Sequence, residues 1–247
     1  MDIQRFIERF DRLMDEKRFD EAEKLLQYWL DEAESEGDYR NRFTILNEMT
    51  GFYRMVGKRG PAFDTVEKLL KTVSDMGAQN SVGRATAYLN CATVYNSFNE
   101  PVKALELYKK AEELYIKELE EDDDRLAGLY NNMALAYVSA GSLREGKSFR
   151  EADMCFKKAL IILEKRKMYN EQAITFLNIA DLEEKRLGPE AGEQVILEYL
   201  DKAVLCFEES FKGDFNSFKQ TAEKCIPVFR HYGYFMVAND LTLKCSR

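Results

Sequence analysis

The run GSLREGKS, from Gly141 to Ser148, matches the phosphate-loop pattern G-x-x-x-x-G-K-[ST] at every fixed position. In a nucleotide-binding chain such a loop follows a buried strand, its backbone N–H groups cradle phosphate, and its Lys reaches the outer phosphates. Here the preceding residues, YNNMALAYVSA, carry apolar side chains at helical spacing. The context is therefore half missing. One reading is a nucleotide-dependent switch or enzyme using Lys147. The leading one is an elongated turn, in which Gly141 stops a helix and Lys147 is solvated. A strand before Gly141 would support the first reading and a helix would remove it.

Other chemistry-bearing residues are sparse. His231 is the only histidine, and a lone His without paired Cys or carboxylates makes neither a zinc site nor a Ser-His-Asp triad. Beside Tyr232 and Gly233 it reads as the flank of a helix end. The acidic run from Glu120 to Asp124 lacks the spacing and distal Glu of a calcium loop. It reads as a solvated connection whose carboxylates favour a following helix N-terminus. Glu183, Glu184, Lys185 and Arg186 read as a charged helix end. The five cysteines, Cys91, Cys155, Cys206, Cys225 and Cys245, form no C-x-x-C pair. Those among apolar positions behave as small hydrophobes in a reducing cytoplasm. No catalytic residue, metal site or cofactor is expected.

Composition narrows the partners. Of 247 residues, 45% are hydrophobic and 32% charged, enough apolar surface for a core. Lys plus Arg is 36 against 44 for Asp plus Glu, a net charge of −8. Such a chain repels phosphate backbones, which argues against nucleic acid. The opening MDIQRFIERFDRLMDEK interleaves charge too often for a signal peptide, and no apolar run approaches the roughly 20 residues that span a bilayer. A cytoplasmic protein without membrane contact is expected.

The elements that would position any site emerge from internal periodicity. YLNCATVY from Tyr88, YNNMALAY from Tyr130 and FLNIADLE from Phe176 each place an aromatic first, Asn two residues on, then an apolar residue and Ala. The alanines are Ala92, Ala134 and Ala180. KALELYKKA, with Ala104, Tyr108 and Ala111, follows the first copy; EADMCFKKA, with Ala152, Phe156 and Ala159, follows the second. Two antiparallel helices approach closely only where small residues meet, and aromatics fill the wider gaps beside them.

On these residues the chain resembles the tetratricopeptide repeat family. Its W-x2-L-G-x2-Y…A-x3-F pattern reads here as Tyr88-x2-Cys91-Ala92-x2-Tyr95…Ala104-x3-Tyr108, and again from Tyr130 to Phe156. Repeats longer than the family's 34 residues, and the phrase LNEMTGFYR, are similar to bacterial proteins of this class. Weaker copies extend the pattern. Ile3, Phe6, Ile7, Phe10, Leu13 and Met14 mark a first helical face, followed by Ala22, Leu25, Leu26, Trp29 and Ala33. Ile45, Leu46, Met49 and Phe52 precede Phe63, Val66, Leu69 and Leu70, and Gly233 marks a last turn. Pro61, Pro101 and Pro189 fall just inside predicted second helices, where the missing N–H costs nothing. Pro227 is expected to kink or break its helix. The resulting expectation is an all-α, right-handed superhelical solenoid of about six antiparallel helix pairs. It forms one domain over 1–247, with approximate repeats 1–36, 37–79, 80–120, 121–167, 168–212 and 213–247.

The resemblance implies that first helices line a concave groove and that the chain binds a protein or peptide as a scaffold or regulator. Mid-helix Asn needs a reason, because it is an indifferent helix former. Asn47, Asn90, Asn132 and Asn178 recur at matching places, with Asn131 adjacent, and could offer paired donors and acceptors to a peptide backbone. The same amides could instead bond to neighbouring helices and hold repeat geometry. Thr93, Leu135 and Asp181 complete the candidate groove. Self-association through an exposed terminal face is a third reading.

Overall fold

The computed structural model describes residues 2–77, 81–141 and 147–246. Among them are twelve α-helices and no strand. The chain forms two compact units, Met1–Leu119 and Glu120–Arg247. The first holds α1 (Ile3–Asp15), α2 (Phe19–Ser35), α3 (Tyr39–Met55), α4 (Arg59–Asp75), α5 (Ser81–Ser97) and α6 (Pro101–Glu118). The second holds α7 (Asp124–Gly141), α8 (Lys147–Lys165), α9 (Tyr169–Leu187), α10 (Glu193–Ser210), α11 (Phe215–His231) and α12 (Phe235–Cys245). Each unit is a stack of three helix pairs. Within a pair consecutive helices pack together, and first helices touch across pairs, α3 on α5 and α7 on α9 and α9 on α11.

The close contacts fall on the recurring alanines. Ala92, Ala134 and Ala180 in first helices, and Ala22, Ala62, Ala104 and Ala152 in second helices, are all 0% exposed. Larger side chains close the gaps around them. Phe6 packs on Trp29 at 5.7 Å between ring centroids, and Phe207 meets both Phe218 and Phe229 at 6.1 Å.

One turn recurs between helices. The residue after the helix end enters the left-handed region at Lys17, Gly37, Gly57, Asn99, Lys167 and Gly233. The next N–H then reaches back five residues: Arg18 to Leu13 at 2.9 Å, Asp38 to Ala33 at 2.9 Å, Lys58 to Tyr53 at 3.0 Å, and likewise at the other three. This is the Schellman closure of a helix C-terminus, which satisfies carbonyls the helix leaves open. Lys17 and Lys167, with φ of 57° and 54°, hold that conformation with a Cβ in the way.

Two expectations change, and one alternative loses the context it requires. Pro189 lies in the connection before α10, which begins at Glu193, so it does not open that helix. Pro227 does not break α11, which runs on to His231; Cys225 and Phe229, both buried, hold the helix to the core on either side of it. Before Gly141 the chain is α7, an α-helix where the nucleotide reading requires a strand. Positions 142–146 of the GSLREGKS run lie outside the described residues. Gly141 has a packing reason of its own, since a Cβ there would stand 2.7 Å from the Phe149 ring.

Two outcomes test this packing. Ala104→Leu or Ala134→Leu should lower stability by about 1–3 kcal/mol through overpacking, read as the shift of a urea midpoint. Lys17→Gly should raise stability by about 0.5 kcal/mol, because glycine takes the left-handed conformation without steric cost, less its greater freedom when unfolded. A drop in midpoint would show that Lys17 is not so placed.

Candidate functional site

The asparagines land on the faces where first helices meet, and they bond to each other. In the first unit Asn90 Nδ2 donates to Asn47 Oδ1 at 3.0 Å, and Asn47 Nδ2 donates back to the Phe43 carbonyl at 2.9 Å. In the second, Asn178 Nδ2 donates to Asn131 Oδ1 at 3.2 Å, and Thr175 Oγ1, which donates to the Glu171 carbonyl at 2.8 Å, lies 3.3 Å from the same Asn131 oxygen. The rung has one geometry in both units. The donor lies two residues after the repeat's leading aromatic, Tyr88 or Phe176; the acceptor sits one residue earlier in the register of the preceding first helix. Asn131, not Asn132, therefore partners Asn178. All four amides are half-buried, and each retains donor or acceptor capacity beyond these bonds.

The remaining candidates divide. Thr93 Oγ1 donates to the Leu89 carbonyl at 2.9 Å and lies 3.1 Å from the Tyr108 hydroxyl on α6, so it ties its own helix pair together. Burial pushes the Tyr108 phenol up to about 12. Asp181 accepts from Lys185 at 2.6 Å, one turn along α9. Leu135 and Asn132 are half-buried on α7.

A cleft of about 140 Å³ opens between α7 and α9, next to the Asn131 rung. Asn131 and Thr175 form its polar side, and Ala127, Leu163, Met168 and Ile174 its apolar wall. Gly128, exposed in mid-helix, belongs to its lining. The cleft was not visible in the sequence, where Gly128 reads only as a poor helix former.

Two further arrangements were missed. A lysine lies over the leading aromatic in three successive pairs: Lys110 over Tyr88 at 5.8 Å, Lys158 over Tyr130 at 4.6 Å and Lys202 over Phe176 at 5.9 Å. The signal was a Lys immediately before Ala111, Ala159 and Ala203. Such cation–π contacts are worth about 0.5–1 kcal/mol each when exposed. Glu183 is not part of an exposed charged end. It is 4% exposed and stands where the repeat carries an aromatic, its Oε2 accepting from Arg186 Nε at 3.0 Å.

The cysteine thiols are shut inside the core. All five cysteines are free and buried. Burial pushes the Cys91 thiol to about 12, and Cys206 and Cys225 to about 11, far from the thiolate that chemistry needs. His231 is largely exposed at the end of α11, 3.6 Å from Glu184, which also accepts from the Tyr232 hydroxyl at 2.9 Å. Among the described residues no helix is long and apolar enough to cross a membrane.

No protein-family model matches the chain, and no curated protein matches it. Solved structures do. BtubC (BKLC) from P. vanneervenii superposes with a TM-score of 0.55 at 18% identity, covering 100% of this chain and 91% of that one. The putative kinesin light chain of Podosopora anserina, with nearly identical TPR-like repeats, gives a TM-score of 0.57 at 15% identity, covering 83% and 93%. A point variant of that kinesin light chain gives the same values. At these identities the likeness concerns the fold: the chain is an all-α protein of tetratricopeptide-like helix pairs.

If the amide rungs form in solution, a double-mutant cycle of Asn47→Ala and Asn90→Ala should show a coupling of about 0.5–1.5 kcal/mol in unfolding free energy. The cycle cancels the better helix propensity of Ala at each site. Additive effects would mean that the two amides do not meet.

Proposed function

We propose that the chain acts by binding, as a scaffold for a protein or peptide partner held along the faces of its first helices, and not by catalysis. One observation carries this reading. In each unit a pair of asparagine amides is fixed by a mutual hydrogen bond, yet keeps unused donors and acceptors at half-buried positions that solvent still reaches. Amides held in this way are preorganised for a peptide backbone, which presents alternating N–H and C=O groups. The two roles considered for these residues thus coincide: the inter-helix bond sets the rung, and its remaining valences face a ligand. The fold supports the reading, since stacked helix pairs offer extended surfaces rather than deep pockets. A cytoplasmic location fits the free, buried thiols.

Selection from a random heptapeptide library on the immobilised full chain should yield peptides with micromolar affinity by calorimetry. Asn47→Ala with Asn90→Ala, or Asn131→Ala with Asn178→Ala, should weaken those peptides that lie on the altered rung. About 0.5–1.5 kcal/mol per lost bond corresponds to a few-fold to about a hundredfold for the pair. Titrations belong well below the melting temperature of each variant. A library that yields no binder, or binders indifferent to both double changes, would defeat the proposal.

A further inference from the structure

The cleft between α7 and α9 carries an unequal charge. Asp124, at the start of α7, and Glu171, in the first turn of α9, both line it. Both are exposed, and among the described residues neither has a cationic partner. Arg125, next to Asp124, pairs with Asp123 at 2.6 Å, and Lys165 pairs with Asp122 at 2.9 Å; Arg166 and Lys167 precede Glu171 in the chain. The hydrogen bond from Arg125 holds the Asp123 carboxyl down at about 2, so the stretch beside Asp124 keeps its negative charge. A helix N-terminus favours one carboxylate in its first turn. Each of the two helices accounts for one, and together they set two carboxylates, neither in an ion pair among the described residues, beside one apolar hollow.

Gly128 supplies the second observation. A glycine inside a helix costs about 1 kcal/mol relative to Ala, and such a cost normally reflects something packed against it. Here a Cβ would meet nothing within 4 Å. What the missing side chain leaves open is the cleft itself, about 140 Å³. An apolar cavity of about 150 Å³ takes a benzene-sized group, which is also the bulk of a Leu, Ile or Met side chain. Leu163, Met168 and Ile174 offer such a group apolar contact, and Asn131 Nδ2 is left to donate to a carbonyl beside it.

We propose that this cleft seats one aliphatic side chain of a short extended peptide segment whose neighbouring residue is Lys or Arg, the cation lying against Asp124 and Glu171. The assignment rests on the peptide-binding reading above and specifies its ligand. Charge complementarity selects the occupant: an acidic or neutral apolar segment would fill the hollow and leave both carboxylates unpaired.

The test uses the heptapeptides selected on the full chain, titrated against variants of it. Gly128→Leu puts an aliphatic group into the hollow from within and replaces a poor helix former with a good one, so the variant should melt no lower than the parent. Peptides that pair an aliphatic residue with an adjacent Lys or Arg should be enriched. They should bind Gly128→Leu at least tenfold more weakly, and Asp124→Asn with Glu171→Gln about three- to tenfold more weakly, with a shallower salt dependence. Gly128→Ala, which adds one methyl, should fall between. Selected peptides without the cation, or with affinity unchanged by Gly128→Leu, would overturn the ligand assignment while leaving peptide binding intact. A library without any binder would overturn both.

Discussion

Everything in this molecule depends on how closely two helices can approach. The paired helices meet at alanines that exclude water altogether, Ala92, Ala134 and Ala180 on one side and Ala104 and Ala152 among those on the other. At those points there is no side chain to give way. The approach is therefore fixed by backbone, and the surrounding aromatics take whatever shape remains. Within each unit first helices lie side by side, α3 on α5, and α7 on α9 and α9 on α11. A hydrogen bond between first helices, Asn90 to Asn47, reappears from Asn178 to Asn131.

The fold was legible in the sequence because its cause is periodic. Aromatic, apolar and Ala positions at constant spacing report a helix pair directly, and repetition makes the weak pattern secure. The candidate site was less legible, and Asn131 and Asn132 show why. Adjacent residues on a helix point about 100° apart, so which of them meets Asn178 depends on the offset between α7 and α9. No property of one helix carries that offset. Glu183 fails for a related reason: a carboxylate buried against an Arg on the next turn has the same letters as a solvated helix end. The lysines over Tyr88, Tyr130 and Phe176 were readable, since they keep one place in the repeat. Pro61 and Pro101 fall in the first turns of α4 and α6 as expected, whereas Pro189 misled because it lies before the start of its helix.

The two rungs differ in their surroundings. In the first unit the rung is joined by Thr93 and Tyr108, polar groups that already serve their own helix pair. In the second, the rung borders an apolar hollow with Asp124 and Glu171 at its edge, where the proposed peptide gains burial, a hydrogen bond and an ion pair together. Partly desolvated charges interact more strongly than those in bulk water. On the proposed reading it is the second unit that grades its ligands, by size at Gly128 and by charge at Asp124 and Glu171.

The recurrent left-handed turn has a consequence for how the chain finds its structure. Each turn folds a helix back on its immediate neighbour, and among the described residues the side-chain hydrogen bonds between helices join residues at most 48 apart. Low contact order of this kind means small loop-closure entropy at every step, because no distant part of the chain must be recruited first. Either unit can begin from any one of its hairpins and grow by accretion of the next. Speed and robustness of assembly are then set locally, at residues such as Gly37, Gly57 and Gly233, whose left-handed backbone reverses the chain.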